Sequence, residues 1–190
     1  MNEEENIIKL DTKIEIATQT LERNINFIVN CDNKSSIVLA FIGVILTIIL
    51  TNDGLKLVFN IIKKCIEVKT FSNVLYLLFL GLSIYVMLYG IYNLGNVLIA
   101  KVSQKADGLG ERNSNIFFTG IQKNPSYQNY QLNFCSLTKE QLLDELLSQI
   151  YINSEIAIIK YAKFNTGFKN TVIGFVLFIS ILIIGRYIYY

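Results

Sequence analysis

The sequence predicts an all-α membrane protein with three transmembrane helices, two of which extend as long helices into a cytoplasmic helical bundle. Three observations carry this. Three apolar runs are almost free of charge. Two of them continue into long amphipathic stretches. Only one proline interrupts 190 residues, and proline is the residue that breaks helices. Hydrophobic residues make up 52% of the chain and charged residues 17%, against about 25% in ordinary soluble domains. Mean hydropathy is +0.42.

Composition also excludes chemistry. Histidine is absent, which removes imidazole acid–base catalysis, Ser-His-Asp and Cys-His nucleophile pairs, and His-ligated metals. Cys31, Cys65 and Cys135 have no CxxC spacing, so neither a disulfide framework nor a zinc site is expected. Gly108 and Gly110 lack the context of a phosphate-binding loop. No cofactor, no metal and no enzymatic activity are expected. A net charge of +2 is too small to argue for nucleic acid.

In chain order, Met1–Asn6 is acidic and does not open a secretory leader, which needs a basic start and an apolar run. Ile14, Ala17, Leu21, Ile25 and Ile28 recur at steps of three and four, so residues 1–35 read as a cytoplasmic amphipathic helix. Residues 36–51 form the first span. Its 15 apolar residues from Ile37 cover ~22 Å, short of the ~30 Å hydrocarbon core. It spans if its polar flanks sit in headgroups or the bilayer thins. Thr51-Asn52-Asp53-Gly54 reads as a turn. Residues 52–73 form a periplasmic interfacial loop, in which Leu55 to Thr70 mixes apolar residues with four lysines in the pattern of a short helix lying in the membrane surface. Residues 74–100 are the second span, 27 residues without Asp, Glu, Lys or Arg. Residues 101–137 are a polar cytoplasmic connector, with Ile116, Phe117, Phe118 and Ile121 arguing that it docks onto something. Residues 138–170 are a cytoplasmic helix opened by Thr138 with Gln141 at the capping-box position. Residues 171–190 are the third span, closed by Arg186 and terminal tyrosines suited to the interface.

Three spans put the N-terminus and residues 101–170 on one side. Eight Lys and Arg flank the spans there and five on the other side, which places the N-terminus in the cytoplasm.

Two clusters offer ligand chemistry. Asp32-Asn33-Lys34-Ser35 precedes the first span. Lys34 and Ser35 supply a cation and a hydroxyl donor for a phosphate, or mark where the helix enters the headgroups. Glu145, Gln149, Asn153 and Lys160, spaced by four, four and seven, share a helix face. The Gln and Asn amides each donate and accept, which suits reading a base edge; an ordinary solvated face is the other reading.

Together these stretches resemble the transmembrane effectors of Pycsar anti-phage systems. The resemblance runs in order through Arg23-Asn24-Ile25-Asn26-Phe27-Ile28, Asp32-Asn33-Lys34-Ser35-Ser36, Asn115-Ile116-Phe117-Phe118 with Gly120, Leu143-Asp144, Gln149-Ile150-Tyr151-Ile152-Asn153-Ser154, Ile156-Ala157 and Lys160-Tyr161. Ser35 stands where the family pattern has Ala. The resemblance implies a bacterial inner-membrane effector. It binds a cyclic pyrimidine mononucleotide second messenger (cUMP or cCMP) made by a partner cyclase, then disrupts the membrane and causes abortive infection. It places the ligand between Asp32–Lys34 and Gln149, Asn153 and Lys160, closed by Asn115 and Phe117, with Phe117 free to stack on a base. The lipid bilayer and further copies in a homo-oligomer are the other expected partners. The rival readings are a membrane-anchored assembly subunit that binds a protein, and a holin-like or small transport protein without a ligand.

Overall fold

The computed structural model describes residues 3–68, 70–99 and 114–189. They form six helices: α1 (Glu3–Ile49), α2 (Asn52–Glu67), α3 (Phe71–Leu98), α4 (Phe118–Gln122), α5 (Tyr127–Cys135) and α6 (Lys139–Tyr189). No strand occurs among the described residues. The protein is all-α, and α1, α3 and α6 are each long and apolar enough to cross a membrane. Gly108 and Gly110, together with Lys69, Lys101, Lys105 and Arg112 among the basic residues counted for orientation, lie outside the described residues.

The expected turn at 51–54 is a helix start instead. Thr51 Oγ1 accepts the N–H of Gly54 and caps α2, so Asn52 and Asp53 are already helical. Here glycine is required by space: a Cβ at Gly54 would stand 2.2 Å from the Ile49 carbonyl oxygen. At the start of α6 the capping box forms in both directions. Gln141 N–H donates to Thr138 Oγ1 at 3.3 Å, and Thr138 N–H donates to Gln141 Oε1 at 2.9 Å. The helix that follows runs through Gly167 without a break.

The chain divides into two compact units. The first comprises Met1–Asn30 and Ala100–Ile159. Its α1 and α6 segments run parallel: Asp11 pairs with Lys139 at 2.7 Å, and Asn24 Nδ2 donates to the Ile150 carbonyl at 3.2 Å. Ala17, Leu146 and Ile156 are its buried apolar residues.

The second unit comprises Cys31–Ile99 and Lys160–Tyr190. Within it α3 and α6 run antiparallel and touch backbone to backbone. A Cβ at Gly90 would lie 2.4 Å from Thr171 N, and one at Gly174 would lie 2.4 Å from Met87 N. Close approach through small residues is how helices associate in lipid, where no hydrophobic force drives them together. Further along, Tyr76 Oη donates to the Ile181 carbonyl at 2.9 Å, and Tyr189 Oη donates to Asn73 Oδ1. The α2 helix contributes Ile61 and Cys65 to the core, which also contains Leu80, Met87, Leu94, Val97 and Phe178.

Candidate functional site

Four of the residues expected at the ligand site, Asn115, Phe117, Gln149 and Asn153, belong to the first unit. Asp32, Lys34 and Lys160 belong to the second.

In the first unit the polar face of α6 organises the chain before α4. Glu145 Oε2 accepts the Ser114 hydroxyl at 3.0 Å and the Asn115 backbone N–H at 2.9 Å, while Oε1 accepts the Asn115 side-chain amide at 3.1 Å. Ser114 Oγ also accepts the Phe117 N–H at 3.1 Å, a local turn that prepares the entry to α4. Tyr130 of α5 donates to the Asn115 carbonyl at 3.2 Å. A Cβ at Gly120 would stand 2.1 Å from the Ser114 carbonyl oxygen, so only glycine lets α4 close against this turn. Asn115 is thus held on three sides. Phe117 is half-buried, its ring 4.7 Å from that of Phe118.

One turn beyond Glu145 on the same face stands Gln149, only 7% exposed. Its Oε1 is buried and has no hydrogen-bond partner. Asn153 is half-buried and donates to the Gln149 main-chain carbonyl at 2.8 Å. The first unit therefore presents one carboxylate fixed by three donors, one helical turn from a buried amide with spare acceptor capacity. A ligand N–H is the kind of group that would fill it.

The second unit holds a different construction. Lys160 is 4% exposed. Its ammonium donates to Asp32 Oδ1 at 2.6 Å and to the Val97 carbonyl at 2.7 Å. That carbonyl belongs to the last turn of α3, where a cation also meets the negative end of the helix dipole. One side chain thereby ties α1, α3 and α6. Lys34 is exposed and has no ion-pair partner among the described residues. Cys31, beside this knot and ahead of the apolar run, is fully buried; burial pushes its thiol pKa up, and the Asp32 carboxylate adds to the shift. No group of residues that could hold a metal occurs among the described residues.

Sequence reasoning put Glu145 on the polar face but missed its three donors. The Ser114-Asn115 pair directly ahead of Ile116-Phe117-Phe118 was the available signal. The Val97 carbonyl left no signal, because a backbone acceptor carries no residue type.

The fold and these sites define a membrane protein with three apolar helices and a polar helical unit bearing a ligand-compatible amide. A family model for the Pycsar effector protein domain matches residues 16–185. The chain is also 32% identical over 192 aligned positions to the Pycsar effector protein GmPycTM of Gulbenkiania mobilis, covering 94% of this chain and 95% of that one. The chain belongs to the Pycsar effector family. No solved structure matches it.

Proposed function

We propose that this protein is the membrane-disrupting effector of a bacterial anti-phage signalling system. It binds cUMP or cCMP on its cytoplasmic side, with its N-terminus also cytoplasmic, and compromises the inner membrane, causing abortive infection. The observation that carries the ligand reading is the unpartnered Gln149 Oε1. A buried acceptor without a donor costs about 1–3 kcal/mol, and a pyrimidine offers the missing donor: the N3–H of uracil or the exocyclic amine of cytosine. Asn153 and Phe117 supply a second amide and an aromatic face in the same unit. Because α1 and α6 are each one unbroken helix, a shift imposed on either by ligand is transmitted along its own hydrogen-bonded backbone. The ligand moves that equilibrium only by binding one state more tightly.

The test is a binding screen of the detergent-solubilised protein against cyclic nucleotides, followed by dye release from vesicles containing it. Stabilisation by a cyclic pyrimidine mononucleotide, with release only in its presence, is expected. Release that ignores every nucleotide would overturn the reading.

We further propose a homo-oligomer. Tyr85 and Tyr92, each 67% exposed, and Tyr89 lie along α3, and their hydroxyls have no partner among the described residues. Gly81 and Gly95 carry no neighbour within 4 Å of a built Cβ. Hydroxyls in hydrocarbon seek partners and bare glycines admit a close helix; a second copy provides both. A monomeric mass in mild detergent, with and without ligand, would count against it.

A further inference from the structure

The α2 helix has three faces. Ile61 and Cys65, 1% and 2% exposed, bury one face in the unit's core. Lys56, Asn60, Lys63 and Glu67 follow at steps of four, three and four and form a polar face. Leu55, Phe59, Ile62 and Ile66 follow at the same steps and form an apolar ridge, with Phe59 65% and Ile66 55% exposed. A helix with an exposed apolar ridge beside a lysine-bearing face lies in the membrane interface, its ridge among the upper acyl chains. This sets the depth of α2 at the headgroups. Arg186 and the exposed Tyr187, in the last turn of α6, lie at the same level: the Lys64 ammonium donates to the neighbouring Tyr189 carbonyl.

At that level Asp53, Gly54, Leu57 and Arg186 line an open recess of about 320 Å³. It contains one carboxylate and one guanidinium, yet the two form no ion pair with each other or with any other described residue. We propose that this recess binds the headgroup of a phospholipid bearing a primary ammonium. The Arg186 guanidinium takes the phosphate, which it matches by geometry and charge. The Asp53 carboxylate takes the ammonium, whose three donors suit an acceptor-only group. Leu57 lies against the two-carbon bridge between them. The two unpaired charges carry the choice of ligand: a phosphodiester with no cation leaves Asp53 unanswered, and a quaternary ammonium offers Asp53 charge but no N–H. The site does not depend on the nucleotide reading.

The experiment is lipid retention by the purified full-length protein, read by native mass spectrometry with phosphatidylethanolamine, phosphatidylcholine and phosphatidylglycerol supplied equally. The parent is expected to retain the ethanolamine lipid roughly tenfold over the glycerol lipid, the equivalent of one charge-assisted hydrogen bond, with choline between. Asp53→Asn should abolish that preference while retaining phospholipid. Arg186→Gln should lower retention of all three. Both side chains are exposed, and unchanged helicity of each variant confirms that the fold is intact. Equal retention of the three lipids by the parent, or an unaltered preference in Asp53→Asn, overturns the proposal. Displacement of the lipid by soluble phosphoethanolamine at micromolar concentration overturns the lipid assignment in favour of the free ester; no displacement supports the lipid.

Discussion

Two buried polar side chains, Lys160 in the second unit and Gln149 in the first, meet opposite fates. In the second unit Lys160 is almost completely buried, and its strong contacts are consumed internally by Asp32 and the Val97 carbonyl. In the first unit Glu145 consumes the donors of Ser114 and Asn115, yet one turn away Gln149 keeps a buried acceptor open. Two other buried oxygens lack partners, Ser35 Oγ and Thr171 Oγ1, both in the second unit. Those are hydroxyls, whose rotation can bring a proton to a carbonyl of their own helix. A Gln amide has no such escape. An amide oxygen only accepts and carries no proton that a rotation could redirect. The buried lysine of the second unit closes on groups of its own unit; the buried amide of the first is left open for something else.

Removing the cation at the centre of the second unit is the most damaging way to test this contrast. Lys160→Met leaves Asp32 facing an apolar neighbour and uncaps α3. The expected loss is about 3 kcal/mol, at the low end for a broken buried pair because Asp32 keeps a third of its side chain exposed. Adding Asp32→Asn should recover a substantial part of it. Thermal unfolding in detergent of the two single variants and the double reads the coupling. Strict additivity would mean that the pair contributes nothing as a pair.

Overpacking the α3–α6 contact comes next. Gly90→Leu must force a side chain into the Thr171 backbone, for roughly 1–3 kcal/mol of destabilisation. Gly81→Leu on the same helix meets nothing within 4 Å and should leave the unfolding temperature of the protomer unchanged. Equal effects at the two glycines would contradict the packing described.

In the first unit the corresponding break is local. Glu145→Ala abandons three donors at once and should cost about 2 kcal/mol, since the groups are only part-buried. Its signature is spatial. Hydrogen exchange should accelerate over residues 114–122 while the α3–α6 contact keeps its protection. Loss of protection in α3 as well would show that the turn before α4 supports more than itself.

Orientation is read by thiol labelling. Cys65 cannot serve, because it is 2% exposed within the α2 packing. The exposed Cys135 and an added thiol from Lys56→Cys should label from opposite sides of the membrane. Labelling from one side would overturn the proposed topology.

Much of this was legible in the sequence, for physical reasons. Apolar runs without charge and 3.6-residue periodicity marked the three long helices, and Thr138 with Gln141 marked where α6 begins. The start of α2 was misread because Asn-Asp-Gly suggests a turn by residue type. Only the Ile49 carbonyl pressing on Gly54 reveals that the glycine serves a helix–helix corner. For the candidate site, residue types and spacing selected Gln149 and Asn153 on one face. They could not reveal that Asn115 would be spent on Glu145 and Tyr130, or Lys160 on Asp32 and Val97, since those pairings join positions more than ten residues apart in sequence.

The smallest expected effect on stability is the most informative about function. Gln149→Leu has a similar volume and removes both polar atoms of the amide. If Gln149 is only a core residue, its unpaired oxygen is a burden, and replacing it is neutral or stabilises by up to about 1 kcal/mol. If the oxygen waits for a pyrimidine donor, the same change leaves stability intact yet weakens nucleotide binding about tenfold or more, because a buried hydrogen bond to the base is lost. Gln149→Glu separates the bases further. A carboxylate accepts from cytosine's amine or uracil's N3–H but no longer donates to a base carbonyl, so affinity should fall less than in the Leu variant and discrimination between cUMP and cCMP should shift. Titrating both nucleotides into parent, Leu and Glu proteins, beside their unfolding temperatures, decides the matter. A Leu variant that is as stable as the parent and binds both nucleotides with the parent's affinity removes Gln149 from the site and leaves its buried oxygen without a function.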